Sequence, residues 1–149
     1  MNIIKYGNDA LYKESAPVEE SKIDDVVDTA NEMIEFLEGK NGGVGLSAVQ
    51  VGILKTFFVM RVKNSFWEIV INPEIISQRG SEKSIEGCIS NPGVYGIVKR
   101  ARKIKVKYLD VNFKEKYQTL KQTDAFIFQH EYDHTTGVCC WDKFEKRIR

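Results

Sequence analysis

A chain of 149 residues that is 42% hydrophobic and 29% charged has the size and composition of one soluble domain with its own core. Its 22 basic and 21 acidic side chains leave a formal charge of +1, which excludes an overall field that attracts nucleic acid or an anionic membrane. No stretch has the apolar length of a signal peptide or a membrane span, and three cysteines, an odd number, make a poor disulfide framework. We therefore expect a single domain over residues 1–149, a monomer in a reducing cytoplasm, without a membrane or a specific nucleic acid as partner.

The first predicted element is an amphipathic helix over residues 21–39. Its apolar residues recur at spacings of three and four, the period of a helix with one buried face, and they are Ile23, Val26, Val27, Ala30, Met33, Ile34 and Leu37. Ser21, with Asp24 three positions later, is expected to cap the start of this helix. The helix should end within residues 39–43, where glycines favour positive backbone angles, so that a loop precedes Val44.

Two strands are predicted next, because β-branched and aromatic residues are concentrated at 56–60 and 66–71. Residues 63–65 between them form a predicted turn. Asn72 and Pro73 are expected to interrupt the second run, since proline cannot donate a backbone hydrogen bond to a neighbouring strand.

A further strand and a second helix complete the predicted elements. Lys103–Leu109 alternates, so Ile104, Val106 and Tyr108 should face the core while the lysines of residues 99–107 face water. Thr123–Thr135 lacks turn residues and predicts a buried helix. Strands before and after two helices, without an alternating βαβ rhythm, predict an α+β fold, in which antiparallel sheets pack around the second helix.

The strongest chemical signal is the pattern H-E-x-x-H at residues 130–134, on the second predicted helix. Residues four apart project from one face, so His130 and His134 can bind one metal ion, with Glu131 beside it for proton transfer. These are the only two histidines in the chain, and the apolar residues before them place the rings in a partly buried site where coordination would satisfy them. The alternative is that two histidines and an acid merely decorate a helix.

A catalytic site of this kind needs a third protein ligand and an open position for water. No histidine follows the motif, and Asp142 and Glu145 lie in a charged terminal segment. Cys88, within Glu-Gly-Cys-Ile-Ser, offers a thiol beside a glycine and becomes a plausible ligand when it is joined to the histidine pair. On its own it reads as an ordinary buried cysteine. Cys139 and Cys140 are interpreted as core or edge filling.

The segment G-V-G-L-S-A-V-Q at residues 43–50 has two glycines and small side chains, which permit tight backbone packing. It lacks the lysine and hydroxyl placement of a phosphate-binding P-loop. It is either a plain connection from helix to strand or a segment from which Gln50 directs its amide at a carbonyl oxygen that acquires negative charge.

Three segments resemble, in their order and spacing, the three signature motifs of peptide deformylases. They are G-V-G-L-S-A-V-Q, E-G-C-I-S and Q-H-E-Y-D-H. One motif alone is a weak signal, but three in sequence over residues 43–134 are highly specific. Ser47 stands where the family usually has alanine, a change that we expect to leave the chemistry intact. The chain stops at Arg149 without the long C-terminal helix of many bacterial members, and so resembles a compact member of the family.

The resemblance implies a metallohydrolase that removes the N-formyl group from the N-terminal methionine of nascent proteins, through a metal-bound hydroxide, and releases formate. The implied ligands of one Fe²⁺, which Zn²⁺, Ni²⁺ or Co²⁺ can replace, are Cys88, His130 and His134. Glu131 would take up the proton of the attacking water and return it to the leaving amine. Gln50 and the backbone N–H of Ile89 would stabilise the oxyanion.

The resemblance also implies how an N-formylmethionyl peptide binds. The backbones of Val44, Gly45 and Gly87 would pair with the extended peptide, and Phe126 and Ile127 would contribute to an apolar pocket for methionine, next to Val44 and His130.

Supporting roles and rival functions complete the expectations. Glu86 and Arg100 are expected to form an ion pair that braces the strand of the cysteine, and Asp133 to orient a ligand or cap local backbone. The exposed lysines allow at most a weak contact with the ribosome. Two rival functions stay open, a zinc endopeptidase that shares H-E-x-x-H and a catalytically inactive peptide-binding relative.

Overall fold

Two antiparallel sheets and two α-helices form the fold. The computed structural model describes residues 1–148, without the side chains of residues 40 and 41, so Arg149 of the expected domain lies outside the described residues. The helices are α1 (Ile23–Phe36) and α2 (Thr123–Thr135), and the strands are β1 (Gly45–Ser47), β2 (Phe57–Val62), β3 (Phe66–Arg79), β4 (Glu82–Cys88), β5 (Asn91–Arg100), β6 (Lys103–Leu109), β7 (Glu115–Lys121) and β8 (Lys146–Ile148). One sheet has the order β1-β2-β3-β6-β7 and the other β4-β5-β8. This arrangement confirms the predicted α+β class.

Helix α1 covers one side of the five-stranded sheet. Its buried residues Val26, Ala30 and Met33 share a hydrophobic cluster with residues of β1, β2 and β3. The expected cap by Ser21 is wrong: Ser21 lies inside a 3-10 turn, Glu20–Lys22, and that turn already supplies the Glu20 carbonyl to the backbone N–H of Ile23. The helix ends at Phe36, before the predicted residues 39–43, and a π-helical turn, Leu37–Asn41, with a non-helical Gly39 leads into the glycine segment.

Helix α2 has the predicted bounds and lies between the two sheets. Its residues Ala125 and Phe128 pack with Phe58 and Tyr108 of the five-stranded sheet, and the Phe58 and Phe128 rings meet edge to face at 5.2 Å. Side chains of β4 and β5 contact its opposite side. Because both sides of the helix are covered, its apolar residues do not follow a single stripe. No helix among residues 1–148 is long and apolar enough to cross a membrane.

The hairpin of β2 and β3 has the predicted turn, but β3 does not end where the sequence suggests. Lys63 and Asn64 adopt positive φ values of 53° and 51° within the three-residue turn between the paired residues Val62 and Phe66. Asn72 and Pro73 interrupt the pairing of β3 with β6 as predicted, since the register shifts between Ile71 and Glu74, but the strand continues to Arg79. A bulge tolerates a proline within a strand because the extra residue needs no partner.

Strand β6 confirms the alternation predicted for Lys103–Leu109. Ile104, Val106 and Tyr108 are buried, whereas Lys103 and Lys105 are exposed. The strand lies between β3 and β7, near the middle of the larger sheet.

Candidate metal centre and active site

The three predicted metal ligands meet in space. Cys88 ends β4, and both histidines project from α2, so the sulfur and the imidazoles come from segments more than 40 positions apart. The Sγ atom of Cys88 lies 3.5 Å from Nε2 of His134. One ligand atom from each of Cys88, His130 and His134 lies within 4.8 Å of the others. A single cation can therefore contact all three side chains.

The chemistry of these side chains fits a divalent transition metal. His134 is 0% exposed, and burial, together with the neighbouring His130, lowers the pKa of its imidazole well below the usual range. The ring is therefore neutral, which is the form that binds metal. Among residues 1–148 its Nδ1 has no hydrogen-bond partner, and a poorly partnered polar ring in the interior is costly unless another group contacts it. One sulfur and two nitrogens are donors that zinc and iron accept.

A chain of charged side chains fixes the ring of His130. Nδ1 of His130 lies 2.9 Å from Oε1 of Glu86, and Arg100 binds both oxygens of Glu86 at 2.9 and 2.8 Å. Burial alone would raise the pKa of Glu86, but the hydrogen bonds from Arg100 and His130 hold it at about 2. Because an ionised carboxylate only accepts, Nδ1 of His130 holds a proton, and Nε2 is the nitrogen left for a cation. Although burial opposes the shift, Glu131 raises the pKa of the His130 ring well above its usual range, so a cation bound at Nε2 would displace a proton. The predicted ion pair of Glu86 and Arg100 is confirmed.

Asp133 contacts Arg100 rather than one of the proposed ligands. Its carboxylate lies 2.6 Å from Nη1 of Arg100 and 3.0 Å from Nζ of Lys143. The expected orientation of a ligand by Asp133 is therefore indirect, because the buried guanidinium of Arg100 takes up its carboxylate. Asp133 therefore positions Arg100, which positions Glu86 and, through it, His130.

Glu131 lies beside the two histidines with its carboxylate almost fully enclosed. It is 4% exposed, and its Oε2 is 3.9 Å from Nε2 of His130. Burial raises the pKa of this carboxyl group, although His130 and Ser47 oppose the shift. A Cβ atom on Gly45 would lie 2.6 Å from Oε2, so only glycine lets β1 pass this close to the carboxylate. The absence of a side chain at Gly45 thus leaves room for the carboxylate of Glu131.

Ser47 contacts Glu131, which the sequence analysis did not predict. The Ser47 hydroxyl lies 2.9 Å from the backbone oxygen of Glu131 and 3.0 Å from its Oε1. The two residues are 84 positions apart, and a small polar residue in a glycine-rich segment gives no signal of such a contact.

Gln50 is buried, and its amide faces the cysteine. Its Nε2 donates to Ser90 Oγ at 3.0 Å and lies 3.4 Å from Cys88 Sγ, while its Oε1 accepts from the Ser47 backbone N–H at 2.9 Å. Ser90, which the sequence analysis missed, thereby orients the amide. Ile89 lies in the turn between β4 and β5 and lines the same cavity as Gln50.

A cavity of about 850 Å³ opens over these residues. It runs between β1 and β4, each of which is the outermost strand of its sheet. The predicted substrate-binding residues all line it, namely Val44, Gly45, Gly87, Phe126 and Ile127. Edge strands present unpaired backbone groups, so an extended peptide can pair with either wall.

Cys140 lies nearer to the site than its interpretation as core filling suggests. Both Cys139 and Cys140 are buried as expected, yet ligand atoms of Glu86, His130 and Cys140 also lie within 4.8 Å of one another. This second group is the poorer metal site, because Glu86 is already held by Arg100 and Nδ1 of His130 by Glu86. Burial also raises the pKa of the Cys140 thiol, which keeps it protonated and a weak ligand.

Comparison with known proteins agrees with this geometry, which is that of a metal-dependent hydrolase. A family model described as polypeptide deformylase matches residues 1–149. A peptide deformylase of Thermoanaerobacter pseudethanolicus is 41% identical over 139 residues, covering 93% of this chain and 86% of that protein. Peptide deformylase 1 of Clostridium perfringens is 39% identical over 136 residues, covering 91% and 92%. The crystal structure of the peptide deformylase from Thermotoga maritima superimposes with a TM-score of 0.91 at 36% identity over 97% of each chain. The chain belongs to the peptide deformylase family.

Proposed function

We propose that this chain removes the formyl group from the N-terminal methionine of nascent proteins and releases formate. The observation that carries the proposal is the meeting of Cys88, His130 and His134, with Glu131 beside them, at a cavity bordered by two strand edges. Family membership supplies the reaction class, a metal-dependent amide hydrolysis.

The proposed ligands of a single metal ion are Cys88, His130 and His134. We propose ferrous iron as the ion in the cell, with zinc, nickel or cobalt as substitutes, since a thiolate and two imidazoles bind all four. When bound, such an ion polarises a carbonyl group and lowers the pKa of water from 15.7 toward about 7. The side chain of Glu86 engages Nδ1 of His130 and so leaves Nε2 as the nitrogen that would bind it.

The other proposed steps belong to the protein's own side chains. Glu131 takes up the proton of the attacking water and later returns it to the leaving amine, because its Oε2 lies on the side of His130 Nε2, at 3.9 Å. Nε2 of Gln50 and the backbone N–H of Ile89 donate to the formyl oxygen as negative charge develops there. A donor of this kind contributes about 3 kcal/mol.

The proposed substrate lies extended between β1 and β4. The backbones of Val44, Gly45 and Gly87 pair with the peptide backbone, so its sequence is largely unread beyond the first side chain. Phe126 and Ile127 line the apolar pocket for methionine. This mode of binding suits an enzyme that processes many different nascent proteins.

We also infer the setting in which the protein works. Residues 1–149 would act as one catalytic domain and as a monomer, in the cytoplasm or, if a phage encodes the chain, in the host cytoplasm. The three cysteines are free thiols, which fits a reducing compartment. The exposed lysines of β6 leave room only for a weak contact with the ribosome.

The test is release of formate from formyl-Met-Ala-Ser by protein purified without oxygen and loaded with ferrous iron. We expect formate in proportion to bound iron and none from metal-stripped protein. If the loaded protein cleaved casein and released no formate, it would be an endopeptidase, which family membership disfavours. If it did neither, it would be an inactive relative, although Glu131, Gln50 and the ligand set are all present.

A further inference from the structure

The hydroxyl of Ser47 is directed at Glu131 inside the protein. Ser47 is 1% exposed, so water does not compete for this hydroxyl. It has one proton and lies within hydrogen-bond distance of two Glu131 atoms, the backbone oxygen at 2.9 Å and Oε1 at 3.0 Å. A hydrogen bond to an ionised carboxylate is stronger than one to a neutral carbonyl, so Oε1 is the stronger acceptor of the two.

The two oxygens of the Glu131 carboxylate therefore have different surroundings. Oε1 faces Ser47, whereas Oε2 faces the Cα of Gly45 and lies 3.9 Å from Nε2 of His130. The last torsion of a glutamate side chain has a broad energy profile, so packing along the chain does not by itself fix the rotation of the carboxylate. A donor on one oxygen does fix it.

We propose that Ser47 is a positioning residue for Glu131: its hydroxyl holds Oε1 and thereby turns Oε2 toward the reacting water and substrate. The inference rests on the proposed function, in which Glu131 takes up and returns a proton. It predicts that Ser47 contributes to the rate only through Glu131 and does not contribute to peptide or metal binding. It therefore replaces the expectation from the family resemblance that serine in place of alanine leaves the chemistry intact.

A purely structural role is the competing explanation. Ser47 is also the N-cap residue of the 3-10 helix Ala48–Val51, and its backbone N–H donates to Oε1 of Gln50. If the hydroxyl only supported this helix, its removal would displace Gln50 and lower the rate whether or not residue 131 were a glutamate.

The two roles are separated by a double-mutant cycle of Ser47→Ala and Glu131→Gln in the iron-loaded enzyme, with kcat expressed per bound metal. In the wild-type background, we expect Ser47→Ala to lower kcat about tenfold and to leave KM within about twofold. In the Glu131→Gln background, the same change should alter kcat less than about twofold, because the carboxylate that it positions is gone.

Three further measurements accompany the cycle. Ser47→Thr keeps the hydroxyl and should retain at least half of the wild-type kcat. The visible absorption spectrum of the cobalt-substituted protein should be the same for Ser47→Ala and wild type, since the hydroxyl contacts none of the proposed ligands. The matched control is Ser15→Ala, a buried serine whose hydroxyl has no partner among residues 1–148, and we expect it to keep the wild-type kcat.

This inference would be overturned if the wild-type enzyme is active and Ser47→Ala keeps full kcat, or if Ser47→Ala lowers kcat equally in both backgrounds. Either result would leave the proposed function intact. If Ser47→Ala fails to fold, Ser47→Thr decides: a kcat reduced more than about tenfold at full metal content would contradict the inference. A loaded wild-type protein that releases no formate would overturn the proposed function, and the inference with it.

Discussion

Single residues set the chemistry of Glu131. The residue is enclosed by Gly45 and Ser47 of β1 and by His130 on its own helix. Burial raises the pKa of its carboxyl group, and such a group takes up a proton more readily near neutral pH than an exposed carboxylate does. This environment suits a side chain that must alternate between accepting and donating a proton.

Glu131→Gln should keep the metal and lose most of the activity. The amide has nearly the same shape as the carboxylate but cannot take up the proton, and a general base typically contributes about 10²- to 10⁴-fold to the rate. Formate release and metal content, measured on the same sample, test this. Undiminished turnover would reject the role of Glu131 as the base.

Gly45→Ala should lower kcat by about 100-fold, the size of effect that a misplacement of about 1 Å can cause. The new Cβ would lie 2.6 Å from Oε2 of Glu131, so the buried carboxylate must move. Metal content should stay the same, since the three atoms nearest to this Cβ all belong to Glu131, which is not one of the proposed ligands. A variant with wild-type kcat would show that the carboxylate position is not critical.

At the scale of elements, the bulge in β3 joins the sheet to the N-terminal segment. Asn72 adopts a φ of 48°, and its side chain accepts from the Val18 N–H at 2.8 Å and donates to the Val18 oxygen at 3.0 Å. The residue thus has both a backbone conformation that asparagine tolerates better than most residues and two hydrogen bonds of its own.

Asn72→Ala should lower the free energy of unfolding by about 3 kcal/mol, roughly 1 kcal/mol for each hydrogen bond and another for the positive φ. The matched control is Asn64→Ala, in the exposed hairpin turn with a φ of 51°, which should lose only the backbone contribution of about 1 kcal/mol. Urea unfolding of both variants measures the difference. Equal losses would mean that the contacts with Val18 do not stabilise the fold.

At the scale of the whole molecule, a buried charge network connects α2 with the smaller sheet. Asp133 and His130 on α2 contact Arg100 on β5 and Glu86 on β4, respectively, and Arg100 also binds Glu86. Arg100 is 3% exposed and Glu86 8%, so solvent screens this pair only weakly. The same contacts that orient a proposed ligand therefore also hold two layers of the fold together.

Lowering the pH should decrease the free energy of unfolding, because the carboxylate of Glu86 takes up a proton. Its pKa is lowered from 4.5 to about 2 in the folded protein, so its contribution is fully present above pH 4.5 and is lost as the pH falls toward 2. At about 1.4 kcal/mol per pH unit, this amounts to about 3 kcal/mol. In metal-free protein, the difference in unfolding free energy between wild type and Glu86→Gln should narrow by about that amount over this range. A difference independent of pH would contradict the assignment.

The sequence predicts those parts of the fold that are encoded locally. The bounds of α2, the alternation of β6 and the turn at residues 63–65 follow from periodicity and turn composition, and all are confirmed. Strand β7 was missed because its less exposed positions are Lys116, Gln118 and Leu120, of which only Leu120 is apolar, so the sequence shows no hydrophobic alternation. The extension of β3 beyond Pro73 was missed because a bulge depends on the neighbouring strand, which the local pattern does not contain.

The residues of the candidate site also fall into those that the sequence predicts and those that it does not. The histidine pair has a local signature, and motif order added Cys88, so the set that meets in space could be named from the sequence. The contacts of Ser47 with Glu131 and of Ser90 with Gln50 carry no local signature, because each depends on how distant segments pack. The route by which Asp133 acts, through Arg100 and Glu86, has no local signature for the same reason.

The central claim is that Cys88, His130 and His134 bind one metal ion, and X-ray absorption at the zinc edge of zinc-loaded protein tests it most directly. We predict a first shell with one sulfur at about 2.3 Å and nitrogen or oxygen at about 2.0–2.1 Å, and loss of the sulfur in Cys88→Ala. A shell of nitrogen and oxygen alone in the wild-type protein, or a spectrum that Cys88→Ala leaves unchanged, would contradict the claim.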